Sequence, residues 1–221
     1  MKKFFMIAAM AVATLTANAQ YRAGTWSIQP KVGVTITSVT NLNNNIGPII
    51  GAGRAESQTY VGATIGGEVE YQIDKQFSVA AGIGYIMQGK QWDDYVNATG
   101  KVKDLKLELG YVNVPIVLNY QIFKGFAVKA GMQFAFLTNA KMKATVETTG
   151  RTDSYSENVK SQMSSFDFSI PVGASYEFSN HIIIDARYNI GVTKVNKESV
   201  AGYSDCHNSV LLATVGYKFK M

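Results

Sequence analysis

Few residues of this 221-residue chain are of the types that make and break covalent bonds. There are two histidines, His181 and His207, and a single cysteine, Cys206. Nucleophilic catalysis needs a hydroxyl or thiol beside a base that a third group orients. His181 falls in the short polar turn Ser179–Asn180–His181, whereas His207 falls in a long polar segment one strand away. That spacing puts the two bases about a membrane thickness apart. Asp205–Cys206–His207 places three ligand-type residues in a row, but three consecutive side chains do not readily converge on one ion, and no further ligands are apparent. The segment reads as exposed loop, and the chain as a non-enzyme with no catalytic residue, metal site or cofactor.

The charges with a regular placement are Lys31, Glu68, Glu70, Lys129, Asp167, Glu177, Asp185, Arg187 and Lys218. Each stands on the polar side of a run in which every second residue is apolar, and their signs nearly balance. The rest of that side is mostly Gly, Ala, Ser, Thr and Asn, where a water-facing surface would be crowded with long charged side chains. Small residues with a few paired charges are what a narrow barrel packs inside itself. Buried ions persist only when paired, because desolvation costs several kcal/mol for each. These nine residues are therefore expected to form a structural network filling a barrel interior, in preference to a conducting path.

The elements that must position them are strands. Residues 166–178 alternate Phe166, Phe168, Ile170, Val172, Ala174, Tyr176 and Phe178 with polar or small residues, and 182–192 repeat the pattern after a tight turn. A period of two joined by such a turn is a β-hairpin. Similar runs begin near Trp26, Val61, Phe77, Tyr111, Phe126 and Leu211, giving about eight strands. Their connections alternate long and short. The long ones are Thr40–Gln58, Gly89–Lys106, Lys141–Ser164, whose margins still alternate weakly, and Asn196–Asn208. Alternating connection lengths and runs of about 10 residues are the pattern of outer-membrane barrels. The expected fold is all-β: an eight-stranded antiparallel up-and-down transmembrane β-barrel. An even strand number places both termini with the short turns, on the periplasmic side.

Trp26, Tyr71, Phe77, Tyr120, Phe126, Tyr176, Phe178, Tyr217 and Phe219 all lie on the apolar side beside a terminus or short turn. In a barrel they fall at one height, as a periplasmic-side aromatic girdle. A soluble lipocalin-like carrier is the competing arrangement, with its apolar side turned inward. Pro30, Pro115 and Pro171 lie inside predicted strands, where a missing N–H calls for local bulges.

The chain opens MKKFFMIAAMAVATLTANAQ. Lys2 and Lys3, the apolar run from Phe4 to Leu15 and Ala17–Asn18–Ala19 form a signal-peptide pattern, so residues 1–19 are expected to be removed and 20–221 to form one barrel domain. A lone cysteine permits no intrachain disulfide. The net charge of +5 is dispersed without basic runs and gives little support to nucleic-acid binding.

The run Tyr111–Val112–Asn113–Val114–Pro115–Ile116–Val117–Leu118–Asn119–Tyr120 resembles a strand of the PorT-like outer-membrane β-barrel family of Bacteroidetes. Ala81–Gly82–Ile83–Gly84–Tyr85, Ala130–Gly131–Met132–Gln133–Phe134, Asp185–Ala186–Arg187–Tyr188–Asn189–Ile190–Gly191 and Gly216–Tyr217–Lys218–Phe219 are similar to further parts of it. The resemblance spans about residues 26–219. It implies a porin-like small barrel in the outer membrane of a Gram-negative bacterium, with outer-membrane lipids and the barrel assembly machinery as partners. It implies no single activity, although the family's namesake acts in protein secretion. Barrels commonly end on an aromatic residue, and here Phe219 is followed by Lys220–Met221. The expected role is structural or surface-interacting, with four long extracellular loops as the working parts and Trp92 and Tyr95 among the residues available to an extracellular or periplasmic protein partner. A narrow pore or secretion accessory is the alternative, and the soluble carrier a further one.

Overall fold

The computed structural model describes residues 22–40, 56–97, 100–197 and 205–221. The predicted signal peptide lies outside the described residues. Eight antiparallel strands close into a ring: β1 (Trp26–Thr40), β2 (Ser57–Gln72), β3 (Phe77–Trp92), β5 (Gly100–Phe123), β6 (Phe126–Thr148), β8 (Phe166–Glu177), β9 (Ile182–Gly191) and β10 (His207–Tyr217). Their order around the ring is β5-β3-β2-β1-β10-β9-β8-β6, and pairing of β5 with β6 completes the closure. Three short strands are appended: β4 (Tyr95–Asn97) on β5, β7 (Arg151–Asn158) on β6, and β11 (Phe219–Lys220) on β1. Closure leaves the ring without the unpaired edge that a hydrocarbon environment would penalise.

The faces sort as the alternation requires. Val32, Val34, Ile65, Ile83, Leu118, Met132, Ile184 and Val215 point outward, while Gln29, Lys31, Glu68, Lys129, Asp185 and Arg187 are buried inside. This is the reverse of a soluble carrier, whose apolar side lines the cavity. Several inward positions are glycine where the neighbouring strand comes close. A Cβ on Gly131 would run into the Ile116 carbonyl oxygen, and one on Gly173 into that of Ala186.

The three prolines do not produce the expected bulges. The register of β3 on β5 passes from Ala81↔Ile116 to Gly84↔Asn113 without a shift, skipping the pairs beside Pro115. The β6–β8 ladder likewise skips from Ala130↔Val172 to Gln133↔Ser169 around Pro171. At Pro30 the β1–β10 ladder ends at Lys31↔Gly216 and resumes with β11 at Ile28↔Phe219. A proline lacks one donor, so it opens the ladder on one side only and the other side holds the strand in register.

The ends of the barrel differ. At the end bearing the described termini the connections are tight. Asp74 Oδ1 accepts the amides of Gln76 and Phe77 at 2.7 and 2.8 Å, Gly125 takes φ +82°, and His181 takes φ +65°. At the opposite end two of the segments expected to be loops, Gly89–Lys106 and Lys141–Ser164, are largely strand, while most of Thr40–Gln58 and of Asn196–Asn208 lies outside the described residues. β5 begins at Gly100 and β6 runs to Thr148, so with β4 and β7 they form a four-stranded extension, β4-β5-β6-β7, above the ring. Two irregularities hid it. Register shifts between Lys103 and Lys106 and between Gly110 and Tyr111 break the strict alternation, the first at Asp104 with φ +52°.

Candidate functional site

The barrel interior holds two tiers of charge. In the central tier Arg187 on β9 lies between two carboxylates. It reaches Glu68 at 2.7 and 2.8 Å and Asp185 through two bonds of 2.8 Å. Lys31 bonds Glu68 at 2.6 Å and Asp185 at 3.3 Å, and Lys129 also bonds Asp185. In the tier nearer the described termini, Lys218 bonds Glu70 at 2.8 Å and Glu177 at 3.4 Å. Glu70 also accepts bonds from Gln29, Ser78 and Asn119. Glu177 also takes Lys220 at 2.7 Å and His181 at 3.2 Å. These last two partners have no signal in the alternation, because Lys220 and His181 sit beyond the regular strand runs. Asp167 stands apart from both tiers, accepting from Thr193 Oγ1 and Asn208 Nδ2 at 2.9 Å each.

Above the charges the interior turns apolar. Ile86, Trp92, Tyr95, Val102, Leu105, Leu107, Leu109, Tyr111, Leu137 and Ala140 form one buried cluster with Val159, Val195, Val210 and Leu212. Met142, Ala144 and Val146 on the extension pack against it, as does Met163. Two segments fold over this surface, with Ser164 N donating to Val195 O at 2.7 Å and Val195 N to Cys206 O at 2.8 Å. Trp92 and Tyr95, expected to be accessible to a partner, are buried here at 3% and 9% exposure. The Leu105–Leu107–Leu109 alternation was the available signal. It straddles the end of a segment that its Lys and Asp residues mark as polar.

Charged tiers below and apolar packing above leave little free volume. A cavity between Lys31, Glu68, Gly84, Asn113, Gln133 and Arg187 measures about 40 Å³, and a second beside Glu70 and Lys218 about 10 Å³. A water needs roughly 10–15 Å³ on this measure, so the spaces fit isolated waters and no solute.

Outside, the aromatic residues expected to form a girdle lie beside the tight turns in contacting pairs. Ring centroids are 4.8 Å apart for Trp26–Tyr71, 4.9 Å for Phe77–Tyr120, 4.8 Å for Tyr176–Phe178 and 4.7 Å for Tyr217–Phe219. Phe126 instead stacks on Phe123 at 4.9 Å. A second aromatic group, Phe134, Phe136, Phe166 and Phe168, lies together on the other half of the exterior.

The residues of chemical type do not assemble. His181 O accepts the amide of Lys218 just past one end of β10, while His207 begins the other end of that strand. Asp205 pairs with Lys194 at 2.7 Å, Cys206 is buried, and His207 Nδ1 lies 3.0 Å from the Thr193 carbonyl. Among the described residues there is no group of three or more His, Cys, Asp or Glu that would hold a metal.

A ring-closed barrel with an apolar exterior and a charged, filled interior is built for a lipid bilayer, and only as an integral membrane barrel are both faces satisfied. A family model described as an outer membrane protein beta-barrel domain matches residues 18–197. The chain belongs to that family, and its place is the outer membrane of a Gram-negative bacterium. It is similar in structure to Ail, the attachment invasion locus protein of Yersinia pestis, at 14% identity over 89% of this chain and 99% of that one, with a TM-score of 0.44. The corresponding figures for OprG from Pseudomonas aeruginosa are 12%, 92% and 99%, with a TM-score of 0.45. For Neisserial surface protein A they are 13%, 88% and 97%, with 0.43. Comparison with curated protein sequences finds no match.

Proposed function

We propose that this protein is a non-enzymatic surface barrel whose working part is the β4-β5-β6-β7 extension with the long connections around it, displayed outside the cell. The observation that carries the proposal is the filled interior: two ion-pair tiers and an apolar cluster stand in series along it, with cavities of about 40 and 10 Å³ between the charged residues. A barrel of eight ring strands has room for side chains and little else. In contrast, β5 and β6 run to 24 and 23 residues, about twice what crosses a bilayer. Chain length is thus invested beyond the membrane. Periplasmic termini, and export by the predicted signal peptide, belong to this reading. So does affinity with the PorT-like barrels of Bacteroidetes, which rests on residues 111–120 and 185–191.

The test is conductance of the refolded barrel in planar bilayers. The expected result is a silent membrane. Steady single-channel steps that disappear when Gly84 or Gly66 is enlarged would overturn the closed reading in favour of a narrow pore.

A further inference from the structure

Three lysines stand close together at the foot of the extension's outward face. Lys106 on β5 and Lys143 on β6 are direct cross-strand partners, a like-charge pairing that is unfavourable unless an anion is shared. Glu108 supplies one, at 3.2 Å from Lys106 and 2.6 Å from Lys143. Lys141, the cross-strand partner of Glu108, brings a third cation and is exposed. Two ammonium groups share the one carboxylate and a third lysine stands at the adjoining strand position, which leaves two positive charges in excess. On β7, Asn158 and Ser156 stand opposite Lys141 and Lys143 and add neutral donors to the same face. Higher on the extension the lysines have their own acids, Lys103 with Glu147 at 2.7 Å and Lys101 with Asp94 at 3.3 Å. The excess is therefore local. Among the described residues elsewhere at this end, Thr40, Gln91 and Ser209 are uncharged, and Lys194 has its own acid in Asp205.

The height of this patch defines what it meets. Val112 and Phe136, themselves cross-strand partners, are the last apolar outward residues on β5 and β6. Glu108 lies four residues further along β5, about 13 Å at some 3.3 Å per residue, and less than that above the membrane because the strands tilt. A lysine stem is long enough to cover an apolar edge while its ammonium group stays among polar headgroups.

We infer that Lys106, Lys141 and Lys143 form a docking site for the phosphate of an anionic lipid headgroup in the leaflet at the extension's end. Glu108 holds two of the ammonium groups in place without neutralising all three, and the lipid's acyl chains run down the Val112–Phe136 wall. The inference rests on the membrane reading of the exterior and is independent of whether the lumen conducts.

The experiment is native mass spectrometry of the detergent-solubilised full barrel with a bisphosphorylated lipid A, its dephosphorylated form and inorganic phosphate as probes. The wild type is expected to retain the phosphorylated lipid and neither of the others. Lys141→Gln with Lys143→Gln should weaken retention about thirtyfold, on the scale of two juxtamembrane lysines. Lys141→Arg with Lys143→Arg should keep it. An unchanged heat-modifiability shift reports that each variant is folded, and Lys160→Gln, outside the patch, serves as the charge control. Equal retention of the dephosphorylated lipid, or loss by Lys160→Gln as large as by the pair, would overturn the inference. Saturation by inorganic phosphate alone would replace the lipid with a free anion and also refute it. None of these outcomes bears on the bilayer conductance.

Discussion

Arg187 and Glu68 meet across the lumen through two bonds of 2.7 and 2.8 Å, although β1 and β10 separate their strands in the ring. The contact spans 119 residues of sequence. It bridges the pairing of β1 with β10, where the first and last long strands of the chain meet, so it reports that pairing directly. With Asp185 on the other side of the guanidinium, both carboxylates bond to Lys31, and Asp185 also to Lys129, beside their bonds to the one Arg187 side chain.

Removing that side chain leaves two buried carboxylates on two lysines. Arg187→Met is expected to destabilise the barrel by about 3–5 kcal/mol, the usual cost of breaking a buried ion pair. Glu68→Gln combined with Arg187→Met should cost less than the two single changes together, because the partner charge goes too. Denaturant titration in lipid vesicles, followed by tryptophan fluorescence and the gel shift, measures both.

The apolar cluster makes an equally direct demand. Leu109 is 1% exposed within it, so Leu109→Ala should cost about 2–5 kcal/mol, the range for a truncated core leucine. Lys141→Ala, on the outward face of the neighbouring strand, should fall within about 0.5 kcal/mol of the wild type. Comparable effects for the two would contradict the packing of the extension. The same denaturant titration decides it.

Pro115 interrupts a ladder that stays in register on both sides of it. In Pro115→Ala the new amide faces a β3 backbone already aligned to receive it, so it should become protected from hydrogen exchange without any change in its neighbours. Rapid exchange at that amide would mean that the two strands are splayed there for another reason.

Asp74 lies in the tight turn after β2, and the amides of Gln76 and Phe77 bonded to its carboxylate hold its pKa below the usual aspartate value. A depressed folded pKa contributes stability above the unfolded pKa and loses it as pH falls through the folded one. The turn should therefore loosen only below the ordinary aspartate range. Carboxyl chemical shifts across an acid titration follow this group, and Asp74→Ala should remove the effect.

Orientation has its own test. An epitope inserted at Gly150, in the exposed β6–β7 turn with φ +85°, should be labelled on intact cells, and one inserted at Lys75 only after the outer membrane is opened. The reverse pattern would invert the barrel and place the extension in the periplasm.

The sequence by itself determined the strand count, the faces and the class of barrel. A period of two is a local property: Ile182, Ile184 and Ala186 are sent to one side of β9, and Asp185 and Arg187 to the other, whatever the partner strand. Tight turns around Asp74, Gly125 and His181 are equally local, since a few backbone angles make them. Only the tertiary structure decided the rest. Two register shifts near Asp104 and Thr138 moved the alternation off its parity, so a segment read as polar loop became the wall of an apolar cluster that buries Trp92 and Tyr95. Barrel closure decided that Arg187 shares Glu68 with Lys31 while Asp167 is left to neutral donors. Which charges pair across a lumen depends on ring order and stagger, and both arise from contacts between strands far apart in the chain.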